Sequence, residues 1–300
     1  MTNYSSAPAP TDQFNVQGLK KNTSSSRTIF NIVMTALASV CMVATLIPLA
    51  LVLALVLVRG IGRLDLQLFT QLPPPPGLAG GGIANAILGT LIVVGIATLI
   101  AVPFGIMAAI YLAEFSEGSK LAQNVRFATN VLSGVPSIIA GVFIYALLVR
   151  TNVTGYSAVA GGVALAVLML PTIIRTTDEA LKIVPQEIRW ASVGVGASDY
   201  QTVLTVVLPA ALPAIITGVT LAIARAAGET APLIFTALFS QFWPSGIFNP
   251  IASLAVLVYN FAIVPFQPQQ ELAWAGSFIL VLLVLTTSIA ARLATRRRTF

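Results

Sequence analysis

The 300-residue sequence contains no histidine and one cysteine, Cys41. Without histidine the commonest general base is missing. One thiol closes no intrachain disulfide and, with no imidazole to join it, builds no metal cluster. Charge is scarce as well: Asp, Glu, Lys and Arg make up 9% of the chain, where soluble domains carry about 25%. The four lysines are Lys20, Lys21, Lys120 and Lys182. None follows a G-x-x-x-x-G-K-[ST] run, so the chain does not cradle nucleotide by that route. Gly194-Val195-Gly196 follows no strand and is not a dinucleotide fingerprint. What fills the chain is apolar: 57% hydrophobic residues and a mean hydropathy of +0.91. Several runs reach the roughly 20 residues needed to cross a bilayer. The composition is that of an integral membrane protein.

Six spanning segments are predicted, at about 28–58, 84–113, 124–149, 158–177, 210–242 and 271–292, and the fold class is all-α. The first is longer than a bilayer requires and must tilt or protrude. Pro171, Pro213 and Pro232 fall in the fourth and fifth, where neighbouring helices can re-satisfy the freed carbonyls. Residues 1–27 are polar and rich in Ser, Thr, Asn and Pro. The apolar run after them is too long for a cleaved signal, so they read as a flexible cytoplasmic tail ahead of a membrane domain over 28–300. With the N-terminus inside, the inner segments hold twelve Lys and Arg residues, the outer loops hold Arg59, Arg63 and Arg150, and Arg225 remains in the membrane. That asymmetry puts both termini in the cytoplasm. The net charge of +6 is explained by such loops and by the C-terminal ATRRRTF facing anionic headgroups, not by nucleic acid. The first outer loop carries four consecutive prolines, a stiff extended piece, followed by Gly80–Gly82. The last outer loop, about 243–270, has an apolar middle, IASLAVLVYNFAIV. It is expected at the interface or re-entering the bundle, since a seventh span would move the Arg-rich tail outside.

The large inner loop, about 178–209, is too patterned for a linker. Asp178, Glu179, Lys182, Glu187 and Arg189 alternate with Leu181, Ile183, Val184 and Ile188, as in a surface-bound amphipathic helix. Gly194 and Gly196 break that helix, and Ser198 with Gln201 is a capping-box signature for the next, which enters the membrane at Pro209.

Within the fifth segment, ARAAGETAPL places Arg225 and Glu229 four residues apart, hence on one helix face if the helix is unbroken. A charge at the centre of a membrane helix costs about 2.5–3.5 kcal/mol on insertion scales. Two readings compete: a self-neutralising pair needed for packing, and an anion-handling site on a translocation path together with Gly228 and Thr230. Intramembrane ionisable residues commonly mark substrate pathways. Arg ahead of Glu is the weaker helical orientation, and guanidinium suits the oxygens of an oxyanion. Gly228 leaves the face open. Elsewhere, Glu114 and Glu117 read as a solvated helix end, and Arg175 with Asp178 as an interface pair. Ser133 and Ser137, around the break at Pro136, are possible hydroxyl donors to an anion or part of a plain proline kink. Tyr145, Thr90 and Asn85 have no assigned role.

The loop resembles the motif of inner-membrane subunits of bacterial ABC importers: Glu-Ala-Ala, three residues, Gly, nine residues, Ile, any residue, Leu-Pro. Here the register gives Trp190-Ala191-Ser192, Gly196, Val206 and Leu208-Pro209. The spacing fits, while Trp190 replaces the motif's Glu and Ser192 an Ala. GGGIANAILGT, VPFGIMAAIYLAEF, LSGVPSIIAGVF, LKIVP and LPAALPAIITGVTLAIARAAGETAPLIFTA resemble the PstA family of phosphate ABC importer permeases, from about residue 64 onward. The resemblance implies a six-helix type I importer permease with no catalysis or cofactor of its own. It implies a coupling helix docked on a separate ATPase, with ATP and Mg held there. The partners it implies are a PstC-like permease, two PstB-like ATPase subunits and a periplasmic PstS-like phosphate-binding protein, in the bacterial inner membrane. Trp190, Ala191, Ser192, Gly196, Leu208 and Pro209 are the expected coupling residues. A permease for sulfate or molybdate, and an ATP-independent channel or signalling subunit, are the rival readings.

Overall fold

The computed structural model describes residues 26–116 and 118–296, with side chains as far as Leu293; the tail before Ser26, Glu117 and the side chains of ATRRRTF lie outside the described residues. Every regular element in that span is helical. In chain order they are α1 (Ser26–Ile61), α2 (Leu66–Thr70), α3 (Ala84–Ile110, extended by a π-helical turn at Tyr111–Phe115), α4 (Lys120–Gly134), α5 (Ser137–Ile144, with a π-helical turn at Tyr145–Val149), α6 (Ala158–Ile183), α7 (Gln186–Gly194), α8 (Asp199–Thr202), α9 (Leu208–Ala227), α10 (Ala231–Thr236), α11 (Leu254–Ala262) and α12 (Gln267–Arg296). The chain forms two compact units. The first ends at Ala54 and is, over its described part, the bulk of α1; the second starts at Leu55 and holds everything else.

Among the described residues, five helices are long and apolar enough to cross a bilayer: Ser26–Ile61, Ala84–Phe115, Ala158–Ile183, Asp199–Ala227 and Gln267–Leu293. The predicted third span, 124–149, is not one straight rod. Its two pieces, α4 and α5 with its π turn, meet at 105°. Pro136 sits at the joint as the residue ahead of α5, where it has no N–H to continue the helix and biases Val135 to an extended backbone. The 8 α-helical and 5 π-helical residues beyond the joint rise about 20 Å, less than a full bilayer core.

The second unit is organised around α3, α6 and α9. Its main core holds Val93, Ala97 and Ala101 of α3, Leu165, Met169 and Ile173 of α6, and Ala222 and Ala226 of α9. Small residues let these helices approach, as membrane helices require. A Cβ on Gly218 of α9 would come within 2.3 Å of the Thr176 hydroxyl of α6.

The segment 243–270 does re-enter. α11 is nine residues long and buries Leu254, Val256, Leu257 and Phe261. The Thr90 hydroxyl of α3 accepts the Leu254 N–H at 2.8 Å and donates to Ala86 O at 2.8 Å. At Gly89 a side chain would run into the carbonyl of Ala252. Thr90 therefore anchors the start of α11, and Asn85 donates to Ser240 O at 2.9 Å in the same region. The loop also caps α6. Ile247 O and Asn249 O accept the N–H groups of Val159 and Ala158, and the Ser157 side chain accepts that of Ala160. The free N–H groups of the first turn are thus used.

Candidate functional site

Two features are the candidate sites: the loop around α7, and the charge pair at the end of α9. The loop departs from the predicted surface helix in one respect. α6 does not stop at residue 177 but continues to Ile183, so Asp178, Glu179 and Lys182 belong to the spanning helix. Val184-Pro185 then breaks the chain, because the proline disfavours helix in the residue before it. The separate α7 begins at Gln186.

On α7, Trp190 is 66% exposed, and Ala191 beside it is also exposed. The Ser192 hydroxyl meets that of Thr202 at 2.9 Å, which ties α7 to the start of the next helix. Gly194 ends α7 with an ordinary φ, whereas Gly196 has φ +94° and no atom within 4 Å of where its Cβ would stand. The turn therefore needs the backbone freedom of glycine at 196 only. Immediately after it, the Ser198 side chain accepts from Gln201 N and the Gln201 side chain accepts from Ser198 N, a complete capping box. The helix so started is continuous from Asp199 to Ala227, with a π turn at Val203–Val207 and with Leu208 and Pro209 inside it rather than at its start.

That helix ends at Ala227, with Gly228 as its C-cap and Arg225 in its last turn. The predicted fifth span of 210–242 is thus cut short. Glu229 lies past the helix end, Thr230 precedes the short α10, and α10 ends at Thr236, so residues 238–242 are not helical. Arg225 and Glu229 do not share a helix face. They nevertheless meet, Nε to Oε1, at 3.6 Å. This is a charge contact beyond hydrogen-bond range, and no guanidinium hydrogen bond of Arg225 is found among the described residues. The two partners differ in exposure: Glu229's side chain is 17% exposed and Arg225's 66%. Arg225 and Glu229 both line a crevice of about 10 Å³, together with Leu168, Met169 and Thr172 of α6 and Ala222 and Ala226 of α9. That volume holds one water at most, so no oxyanion fits inside the chain there. A Cβ on Gly228 would touch only Arg225 O, at 3.7 Å.

The other predicted residues sort differently from expectation. Glu114 is not a solvated helix end: its side chain is 9% exposed and forms an ion pair with Arg189 at 2.8 Å. Arg175 does not pair with Asp178. Arg175 reaches Glu179 at 3.0 Å, while Asp178 takes Arg126 at 3.1 Å and Lys182. The Ser133 hydroxyl is spent on its own helix, donating to Thr129 O and Asn130 O. Tyr145 stacks at a tilt on Tyr156, with centroids 6.0 Å apart. Among the described residues, no group of His, Cys, Asp and Glu is placed to hold a metal ion.

The spanning bundle and the helical loop with its glycine turn fit one class, the membrane subunit of a transporter driven by a separate ATPase, and known proteins bear this out. The pattern of the binding-protein-dependent transport system inner membrane component matches residues 101–300. The chain is similar to the phosphate transport system permease protein PstA of Yersinia pestis, 46% identical over 234 residues that cover 78% of this chain and 79% of that one. It is similar to the PstA protein of Haemophilus influenzae, 41% identical over 267 residues covering 89% and 94%. The chain belongs to the PstA family of transport system permease proteins. Its fold, the type I ABC importer permease, is that of a chain in the crystal structure of a bacterial alginate ABC transporter, with TM-score 0.66, 14% identity and coverage of 92% and 98%. It is a multi-pass inner-membrane protein.

Proposed function

We propose that the chain forms half of the translocation pathway for inorganic phosphate in an ATP-driven importer. Its partners in this reading are a PstC-like permease, a PstB-like ATPase dimer that holds ATP and Mg, and a PstS-like binding protein that delivers phosphate from the periplasm. The observation that carries the reading is the unbroken helix Asp199–Ala227. Its 29 residues rise about 43 Å, from the Gly196 turn at one end to Arg225 at the other. ATP-driven closure of the ATPase subunits moves α7 and the turn, and the helix carries that movement to the charged end, opening the path outward. Hydrolysis returns it. The outward-facing Arg225 and the crevice too small for an oxyanion support a path completed by a second permease chain. Gly228, between Arg225 and Glu229, and Thr230, just after Glu229, belong to the same part of that path. The test is uptake of radiolabelled phosphate by proteoliposomes containing the assembled complex. Uptake should require ATP and should not be competed by sulfate. ATP-independent flux, or sulfate transport in its place, overturns the reading.

In this reading both termini are cytoplasmic. A cysteine at Leu78, which is 58% exposed in the proline-rich loop, should react with an impermeant thiol reagent from outside the cell. A cysteine at Val195, 87% exposed beside the glycine turn, should react only after permeabilisation. Leu78 serves better than Gly77, whose φ of +83° strains any side chain. The experiment uses a background lacking Cys41, and the reverse labelling pattern overturns the orientation.

Trp190 is the expected anchor of ATPase docking. Trp190, Val193 and Val195 are all exposed on the same loop, and a buried Trp is a frequent interface hot spot. Trp190→Ala should weaken ATPase binding about 30-fold, from the loss of at least 2 kcal/mol typical of such an anchor, and Trp190→Phe much less. Undiminished co-purification in Trp190→Ala shows that the ring carries no docking energy.

A further inference from the structure

We infer that Arg189 and Glu114 form a positioning link that makes α7 move as one body with the ends of α3 and α6. The inference rests on the reading of α7 as the ATPase-docking helix. Arg189 is the residue before Trp190; its guanidinium enters the bundle, where its side chain is 15% exposed, while the Trp190 ring is 66% exposed. All five of its N–H donors have acceptors. Nε and Nη2 reach the two oxygens of Glu114 at 3.3 and 2.8 Å. The second Nη2 hydrogen goes to Leu181 O at 2.8 Å, and Nη1 serves Val184 O and Gln186 Oε1. Leu181 lies in the last turn of α6 and Val184 is its C-cap, so these are carbonyls that the helix end leaves short of partners. Glu114 lies in the π turn that ends α3, and such wide turns recur at functional positions. One planar group thus joins three helices, two of which belong to the spanning core.

Packing alone does not call for this arrangement. A carboxylate and a guanidinium withdrawn from water gain little net stability over apolar residues of similar volume. What the bidentate pair supplies is a fixed angle and distance. α7 itself buries none of its residues, so its hold on the bundle comes through such polar ties. A movement imposed on α7 is transmitted to α3 and α6 only while the guanidinium stays seated. Without it, α7 swings on its flanking turns and the spans stay where they are.

The experiment compares Glu114→Gln and Arg189→Lys with wild type in the full complex reconstituted in proteoliposomes, recording complex yield, ATP hydrolysis and phosphate uptake. Gln keeps the shape and an acceptor oxygen but loses the charge. Lys keeps the charge, but its three donors on one nitrogen do not reproduce the planar fork that meets Glu114 through two nitrogens and leaves donors for Leu181 O, Val184 O and Gln186 Oε1. Both variants should assemble at wild-type yield and hydrolyse ATP, while phosphate moved per ATP falls about tenfold, as expected from losing one charged, buried hydrogen-bonded contact. Unchanged stoichiometry in Glu114→Gln overturns the link. So does a parallel fall of uptake and hydrolysis, or a loss of complex, in that variant, because either result marks a purely structural pair. Co-purification of the ATPase with Trp190→Ala reads the docking proposal separately: docking falls on that result, the link on the stoichiometry.

Discussion

Replacing Arg225 and Glu229 together by leucine should give a complex that assembles fully and takes up no phosphate above background, a loss of more than about a hundredfold, the scale on which a site built on polar groups fails when its matched group is removed. The two readings of the pair diverge here. If Glu229 only offsets the charge of Arg225, removing both removes the desolvation cost as well, and transport continues. The geometry speaks against mere neutralisation. At 3.6 Å through a single Nε–Oε1 approach, the contact is not the bidentate pairing that a stabilising buried ion pair needs. The Arg225 side chain is 66% exposed, while the Glu229 carboxylate is 17% exposed and lines a crevice against α6. Near neutral pH phosphate still carries a proton and sulfate carries none. An acceptor beside a cation therefore favours phosphate and repels a dianion with nothing to donate. Glu229→Gln, with Arg225 kept, should accordingly assemble and lose transport. Uptake near wild type in the double variant would end the assignment of the pair to the anion.

Gly196→Val should have the second largest effect. It should insert normally and abolish ATP-driven uptake, with ATP hydrolysis no longer responding to the permease. The space around residue 196 is empty, so no clash is involved. The cost is that of holding a β-branched residue at φ +94°, about 1–3 kcal/mol for a backbone in so sparse a region. The turn can avoid that cost by refolding. Gly196→Asn, which accepts positive φ more readily, should retain more uptake than Val. Gly194→Ala should be close to wild type, since Gly194 is a helical residue with open space beside it. Equal behaviour of the Val and Ala variants would remove the turn from the coupling path.

How far such features were legible follows from how local they are. Ser198 and Gln201 form their capping box within four residues, so composition at fixed spacing was enough. The long apolar runs of α3 and α6 were legible because a bilayer sets their length. The end of α9 was also written locally, in a basic residue of the last turn followed by Gly228 and then Pro232. These stop signals were outweighed by the apolar run that continues to residue 242, although the same apolar residues serve α10 equally well. Pro136 announced a break but not its 105°, which depends on what α4 and α5 pack against. The pairing of Arg189 with Glu114 spans 75 positions, and no periodicity or motif links the two. Glu114 looked like a helix-end carboxylate because the residue that buries it comes from another element.

The backbone plug on α6 bears on how quickly an anion passes. A helix start with unfilled N–H groups is a resting place for phosphate; here Ile247, Asn249 and Ser157 occupy those groups before any ligand arrives. Nor does the chain offer a fixed charge anywhere between Glu229 and Glu271. On the proposed path, an anion reaching Arg225 meets no charged side chain from that segment and no free N–H group at the start of α6. If the proposed contact is Arg225, the hold is one guanidinium 3.6 Å from its own carboxylate, and a shallow hold of that kind lets go as readily as it captures.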